Sequence, residues 1–179
     1  MTTEPSVSLL SETEQWLDNY YVYRGNGNLK PYSAHQFTLS SSYTDKHYDF
    51  SALLLYKYAP DEIVNNFSYT KSYILQSYEN LKYKNEYGGQ ISMNVYPLSN
   101  KALKFSATGI YMHFHGKERT GSKWNGYRYQ LMLSANYTAK KWEIGAFYQY
   151  PGQTVEGQLE MPRAEYLCLD FSYKPIENL

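Results

Sequence analysis

The run Tyr127-Arg128-Tyr129-Gln130-Leu131-Met132-Leu133-Ser134-Ala135-Asn136-Tyr137-Thr138 decides the fold. Tyr127, Tyr129, Leu131, Leu133, Ala135 and Tyr137 fall on one side, and Arg128, Gln130, Ser134, Asn136 and Thr138 on the other. A period of two held over this length is a β-strand with one apolar and one polar face. Two other stretches repeat it. Phe50, Ala52, Leu54, Tyr56 and Tyr58 oppose Asp49, Ser51, Leu53, Leu55 and Lys57, while Trp142, Ile144, Ala146, Tyr148 and Tyr150 oppose Lys141, Glu143 and Gln149. Strands of roughly 9–11 residues are what a tilted barrel needs to cross a bilayer. The pattern predicts a wall in lipid.

Composition narrows the classes. The 179 residues suffice for one domain, and the formal net charge of zero offers no basic field for nucleic acid. The 22 tyrosines are the outlier. Tyrosine suits strands and, with its amphipathic ring, membrane interfaces. It also suits a soluble carbohydrate-binding sandwich, since alternation marks half-buried soluble strands too. Mean hydropathy is −0.64, and no run of about 18 apolar residues occurs, which excludes a helical membrane protein but not a barrel with a polar lumen. The lone Cys168 has no partner for an internal disulfide and reads as a small packed residue. No basic and apolar leader follows Met1. Either the protein stays inside the cell, or Met1 is not the natural start of the full polypeptide.

Residues 1–33 read as an irregular lead-in, with turn signals at Pro5, the Gly25-Asn26-Gly27-Asn28 run and Pro31, and one helical turn from Ser11 to Leu17. From residue 34 to 179 the chain reads as part of a barrel. Strands are expected at roughly 34–44, 48–59, 73–96, 101–115, 124–138, 141–151 and 164–174. The connections at Asp45-Lys46, Pro97-Leu98-Ser99-Asn100 and Ala139-Lys140 are short. Those at about 60–72, 116–123 and 152–163 are long. In a meander the short turns gather at one end and the long loops at the other, as in outer-membrane barrels. The fold expected is therefore all-β: an antiparallel up-and-down meander of about seven strands, a segment of a transmembrane β-barrel.

An even number of strands, at least about eight, closes a bacterial barrel, and unpaired edges are untenable in hydrocarbon. Pro175, followed by Ile176-Glu177-Asn178-Leu179, reads as a turn leading nowhere. The expectation is a piece of a larger barrel. The rival is a small complete barrel that uses Gln15 to Arg24 as its eighth strand.

At Gly25-Asn26-Gly27-Asn28-Leu29-Lys30-Pro31 the chain resembles TonB-dependent outer-membrane receptors, in particular the Bacteroidetes-type outer membrane β-barrel family. These carry Gly-Asn-Pro-Asn-Leu-Lys-Pro before a descending strand. Here Gly27 replaces the proline, and Tyr32 stands where an acidic residue is common. Gly25, Asn26, Asn28, Leu29, Lys30 and Pro31 keep the motif. Tyr21-Val22-Tyr23-Arg24, Asp61-Glu62-Ile63, Tyr78-Glu79-Asn80 and Pro162-Arg163-Ala164-Glu165 resemble further family segments in family order, and together they cover about residues 15–179. The resemblance implies a parent receptor that imports a siderophore, a glycan or a peptide. The plug domain, the TonB box and a final strand ending in an aromatic residue have no counterpart in the sequence. The chain by itself is thus expected to transport nothing. Its expected partners are outer-membrane lipid and the remainder of the receptor, with TonB engaged only through that remainder.

Other motifs weigh less. His113 and His115 share a strand face but lack a third ligand at useful spacing, so they read as an interfacial polar pair and no metal is expected. In Gly116-Lys117-Glu118-Arg119-Thr120-Gly121-Ser122-Lys123 the order of Ser122 and Lys123 is wrong for a phosphate loop. No catalytic constellation stands out, so neither an enzyme nor a cofactor is expected. Tyr69, Tyr73, Tyr78, Trp124, Tyr127, Tyr148 and Tyr150 are expected near the long-loop end as an aromatic girdle. Those that turn inward, with Trp124, Tyr127, Tyr148 and Tyr150 foremost, are candidates for stacking on a ligand.

Overall fold

The computed structural model describes residues 2–157 and 159–174. The elements run β1 (Thr2–Thr3), α1 (Val7–Leu10), β2 (Gln15–Trp16), β3 (Tyr21–Tyr23), β4 (Tyr32–Ser33), β5 (His35–Thr44), β6 (Tyr48–Pro60), β7 (Ile63–Tyr69), β8 (Ile74–Asn80), β9 (Tyr83–Val95), β10 (Leu103–Lys117), β11 (Lys123–Thr138), β12 (Trp142–Tyr150), β13 (Thr154–Glu156), β14 (Leu159–Met161) and β15 (Tyr166–Tyr173). The long strands form one antiparallel wall in the order β5-β6-β9-β10-β11-β12-β15. This is the expected seven-stranded meander. The expected terminal turn at residues 175–179 lies outside the described residues.

The register keeps every apolar set on the same side. Leu39 faces Leu54, Ala52 faces Ile91, Gly109 faces Leu131, Ala135 faces Ala146, and Ala146 faces Leu169. A slip of one residue in any pair would turn a whole strand over. Among the described residues nothing covers this face. Leu54 is 60 % exposed, Ile91 58 % and Leu169 75 %. A sandwich would bury these residues under a second sheet, so the sandwich alternative fails. The opposite face carries polar cross-strand pairs, with Ser106 Oγ donating to Asn94 Oδ1 at 2.7 Å and Thr108 Oγ1 to Ser92 Oγ at 3.1 Å.

Aromatic rings flank the aliphatic belt at both ends. Near the short turns lie Tyr48, Tyr137, Trp142 and Tyr173, and the Trp142 ring is 4.2 Å from that of Tyr173. Near the loops lie Tyr58, Tyr127, Tyr129 and Tyr150, with Tyr129 and Tyr150 ring centroids 6.1 Å apart. From Tyr48 to Tyr58, as from Tyr127 to Tyr137, ten residues at about 3.3 Å each span about 33 Å along the strand. At a tilt of about 40° this is about 25 Å of height, the apolar band of an outer-membrane barrel.

The structure corrects three expectations. The run 73–96 is not one strand, and 60–72 is not a loop. Instead β6-β7 and β8-β9 form one long hairpin whose pairing keeps step, Pro60 with Tyr83 and Ile63 with Asn80, across a corner at residues 61–62 and 81–82. Asp61 turns the corner with φ 57°, a left-handed conformation that aspartate tolerates better than most residues. The hairpin tip is tied by Thr70 N–H to Tyr73 O at 3.0 Å. Second, no helical turn spans Ser11 to Leu17. The helix lies earlier, at Val7–Leu10, while residues 15–16 pair as β2 with β3 across a turn in which Asp18 Oδ1 accepts from Tyr20 N–H at 2.7 Å. Third, residues 15–24 do not supply an eighth wall strand. β2 and β3 join β8 and β7 in a separate four-stranded sheet, with β3 parallel to β8. We call this sheet, with the segment that leads into the wall, the cap.

The loop at 152–163 also contains structure. Gly152, at φ 61°, sits against the Tyr129 ring where a side chain would collide, and beyond it β13 resumes pairing with β11.

Because the aliphatic belt is deepest near Leu54, Leu54→Arg is expected to cost about 2–4 kcal/mol of folding free energy in lipid vesicles, against about 0–1 kcal/mol for Tyr58→Arg at the rim. Urea titration of vesicle-inserted protein measures both; equal costs would contradict the assigned depth.

Candidate functional site

Three sequence motifs far apart in the chain meet at the corner. The lead-in motif lies against β8. Asn26 Nδ2 donates to Tyr78 O at 2.8 Å, and Asn26 Oδ1 accepts from Asn28 N–H at 2.9 Å, which closes a local turn. Asn80 then clamps the chain. Its Oδ1 accepts from Lys30 N–H at 2.8 Å, and its Nδ2 donates to Lys30 O at 2.9 Å and to Asp61 O at 2.6 Å. Gly25 N–H donates to Ser11 O at 2.8 Å, and Leu29 is buried. Pro31 leads directly into β4. The residues of the motif thus hold the cap to the top of the wall, through Asn80 of the Tyr78-Glu79-Asn80 segment and Asp61 of the Asp61-Glu62-Ile63 segment.

Below the clamp the inner face carries a small core of Val64, Leu81, Phe114 and Trp124. Gly116 permits it, because a Cβ there would stand 3.2 Å from Leu81 Cδ1 and 2.9 Å from Tyr83 O. Against this core lies a cluster of four charges. Glu62 Oε1 takes Lys57 Nζ at 3.1 Å and Lys84 Nζ at 3.4 Å, while Glu86 Oε1 takes Lys84 Nζ at 2.9 Å and Lys57 Nζ at 3.5 Å. Lys84 Nζ also sits 4.7 Å from the Trp124 ring centroid and 5.2 Å from that of Phe114. Buried charges persist when paired in this way. Arg119, from the loop between β10 and β11, bonds to Asp61 and ties that loop to the corner.

The sequence-derived candidates separate. Trp124 lies on the inner face, 4 % exposed, inside the core. Tyr127, Tyr148 and Tyr150 lie on the outer face near the loops. Tyr127 Oη donates to Gln153 Oε1 at 2.7 Å, Tyr148 Oη donates to Glu165 Oε2 at 3.0 Å, and Tyr150 Oη accepts from Arg163 Nη1 at 3.3 Å. Tyr69, Tyr73 and Tyr78 belong to the cap rather than to a girdle. His113 and His115 share the outer face. The His113 ring lies 4.9 Å from that of Tyr87, and His115 Nδ1 is 2.7 Å from Asn125 Oδ1. Among the described residues, no three His, Cys, Asp or Glu side chains gather as metal ligands do.

That Lys57, Glu62, Lys84 and Glu86 form one cluster is not legible in the sequence. Each alone is an ordinary polar-face residue. Only the register, which sets Lys57 opposite Glu86, and the corner, which folds Glu62 back over them, bring the four together.

Asn80→Ala removes three part-buried hydrogen bonds to the backbone of Lys30 and Asp61, so it is expected to cost the cap on the order of 3 kcal/mol. Hydrogen exchange is expected to show lost protection in β3, β7 and β8 with β10 and β11 unchanged. Glu79, in β8, has its carboxyl pushed up by burial first and by Glu118 second, against a lowering hydrogen bond from Asn66. A raised carboxyl keeps its proton longer in the folded cap than in the unfolded chain. Cap stability is therefore fullest at and below the ordinary carboxylate range and falls as pH rises through the raised value. Glu79→Gln is expected to remove that fall; protection factors measured across pH 4–8, about the usual titration span of such groups, provide the check.

A model of the outer membrane protein beta-barrel family matches residues 2–177. No curated protein matches the chain. The match takes in the cap and the whole described wall, and the observed architecture is the one the family's description requires: antiparallel strands of membrane-crossing length, apolar on one side and polar on the other. This chain belongs to the outer membrane protein beta-barrel family, and its place is the bacterial outer membrane.

Proposed function

We propose that the chain is a wall segment of a TonB-dependent outer-membrane receptor that takes up a nutrient, and that it transports nothing by itself. One observation carries the proposal. Among the described residues the wall has two free edges, since β5 pairs only with β6 and β15 only with β12. In hydrocarbon each unpaired backbone group costs several kcal/mol, so other strands must cover both edges.

The topology constrains those strands. In an antiparallel meander the first and seventh strands run the same way, so β5 and β15 cannot close on each other except in parallel. A second copy related by a two-fold axis along the membrane normal would meet the same parallel seam. Closure with antiparallel neighbours throughout takes an odd number of added strands, giving the even total of bacterial barrels. The larger barrel of a receptor supplies them. The lead-in motif supports the same reading, as do the segments that follow in family order. In this reading the apolar face meets outer-membrane lipid, the polar face lines the lumen, and TonB acts through the remainder of the receptor. No catalytic role or cofactor is proposed.

The test is gel mobility with and without heating. A closed barrel resists detergent until boiled. The isolated chain is expected to migrate identically heated or unheated, and to gain a heat-sensitive compact form only when joined to the complementary strands. A heat-sensitive form of the isolated chain would show that its own strands close a ring and would overturn the proposal.

A further inference from the structure

Two lysines face each other at the loop end of the outer face. Lys117 and Lys123 are the last register pair of the β10-β11 hairpin, in phase with His113, His115 and Tyr127, and both are exposed. Like charges directly opposite each other on antiparallel strands repel. Among the described residues neither lysine forms an ion pair. The nearby carboxylates are engaged elsewhere. Asp61 bonds to Arg119, while Glu118 accepts from Thr120 Oγ1 at 3.0 Å and stands near Glu79 of the cap. Lys82, also exposed, donates its backbone N–H to Lys117 O at 2.7 Å and brings a third cation to the rim. The rim of the central strands thus carries positive charge without a counterion from the chain.

Below it, on the same face of the same strands, the aliphatic belt has a hollow. A Cβ at Gly109 would meet nothing within 4 Å. Leu54, Tyr87, Ile91, Tyr111 and Leu131 border the groove there, which has a volume of about 880 Å³. Gly109 is level with Leu131, near the middle of the span from Tyr127 to Tyr137.

We infer that this track holds one anionic, phosphorylated lipid of the outer leaflet, with its phosphate between Lys117 and Lys123 and an acyl chain in the groove at Gly109. Long loops mark the extracellular end of such barrels, so the lysines belong to the outer leaflet. The spacing fits a single lipid. Gly109 lies eight residues below Lys117 on β10; at about 3.3 Å each and a tilt of about 40°, the depth between them is about 20 Å. Half a bilayer with its headgroups measures about the same. The charge selects the headgroup. A phosphate offers acceptor oxygens and negative charge to two ammonium groups. A zwitterionic headgroup would bring a further cation to a rim that already has three. The inference deepens the lipid-facing part of the proposed reading. It rests on the wall crossing the membrane and not on which strands cover its edges.

The test uses phosphatidic acid that carries a nitroxide midway along one acyl chain. It is titrated into the full chain in uncharged maltoside micelles while broadening of the Gly109 amide resonance is followed. Phosphatidylcholine with the same label is the control. The expected result is saturable broadening with phosphatidic acid and only gradual, unsaturable broadening with phosphatidylcholine. Lys117→Gln combined with Lys123→Gln is expected to weaken phosphatidic acid binding by about tenfold or more. Gly109→Leu provides an independent check, since it fills the groove and leaves the lysines in place. Read at the Ile91 amide, it is expected to weaken binding by about threefold or more. No saturable broadening, equal saturation by both lipids, or binding that survives either change would each overturn the inference. So would full displacement by inorganic phosphate at the lipid's own concentration, which would mean a free-anion site only. These outcomes are separate from heat-sensitive mobility, so either proposal can fall without the other.

Discussion

The structure depends on one requirement: a strand in hydrocarbon must give every backbone N–H and C=O to a neighbouring strand. Seven long strands meet it along their shared flanks through pairing that never slips. Because side chains alternate, unbroken pairing also sorts chemistry. Leu39, Leu54, Ile91, Leu131 and Leu169 are forced to one side, while Ser92, Asn94, Ser106 and Thr108 go to the other. The backbone demand and the division into faces are two aspects of the same ladder.

The corner at residues 61–62 and 81–82 is where this uniformity ends. Beyond it the hairpin leaves the wall and turns over the inner face, where Val64 and Leu81 find Phe114 and Trp124. The change of environment brings different forces into play. Along most of its length the wall needs only ladders and its two side-chain faces, whereas the corner uses a specific asparagine clamp, a left-handed aspartate and a cluster in which Glu62 meets Lys57, Lys84 and Glu86 of the wall strands. That contrast explains why the family-like motifs concentrate at the corner: they perform geometry that alternation cannot.

Much of the wall was legible in the sequence because period two is a local signal. Tyr127 through Tyr137 states both its strand and its faces without reference to any other segment. The short turns at Asp45-Lys46 and Ala139-Lys140 were legible for the same reason. The corner was not. Leu81 and Lys82 interrupt neither alternation nor propensity, and the bend follows from Asp61 across the hairpin and from packing on Phe114. The cap residues Tyr69, Tyr73 and Tyr78 were misplaced as a girdle because composition alone cannot tell a ring at a membrane interface from a ring in a small polar sheet. Trp124 falls one residue off the outward phase of its strand, so the register directs it to the inner face. The Lys57–Glu62–Lys84–Glu86 cluster was beyond reach, since it exists only once three segments have found each other.

The parallel pairing of β3 with β8 joins residues 21–23 to residues 74–76, across the whole of the β5-β6 hairpin. Contacts between segments so distant in sequence carry a large loop-closure cost and form late. β8, moreover, presents a docking edge only after its own hairpin has bent at Asp61. The order of assembly therefore runs against the order of synthesis. Residues 21–23, made before residues 74–76, are among the last to settle, and they wait at the mouth of the wall until the strands made after them are in place.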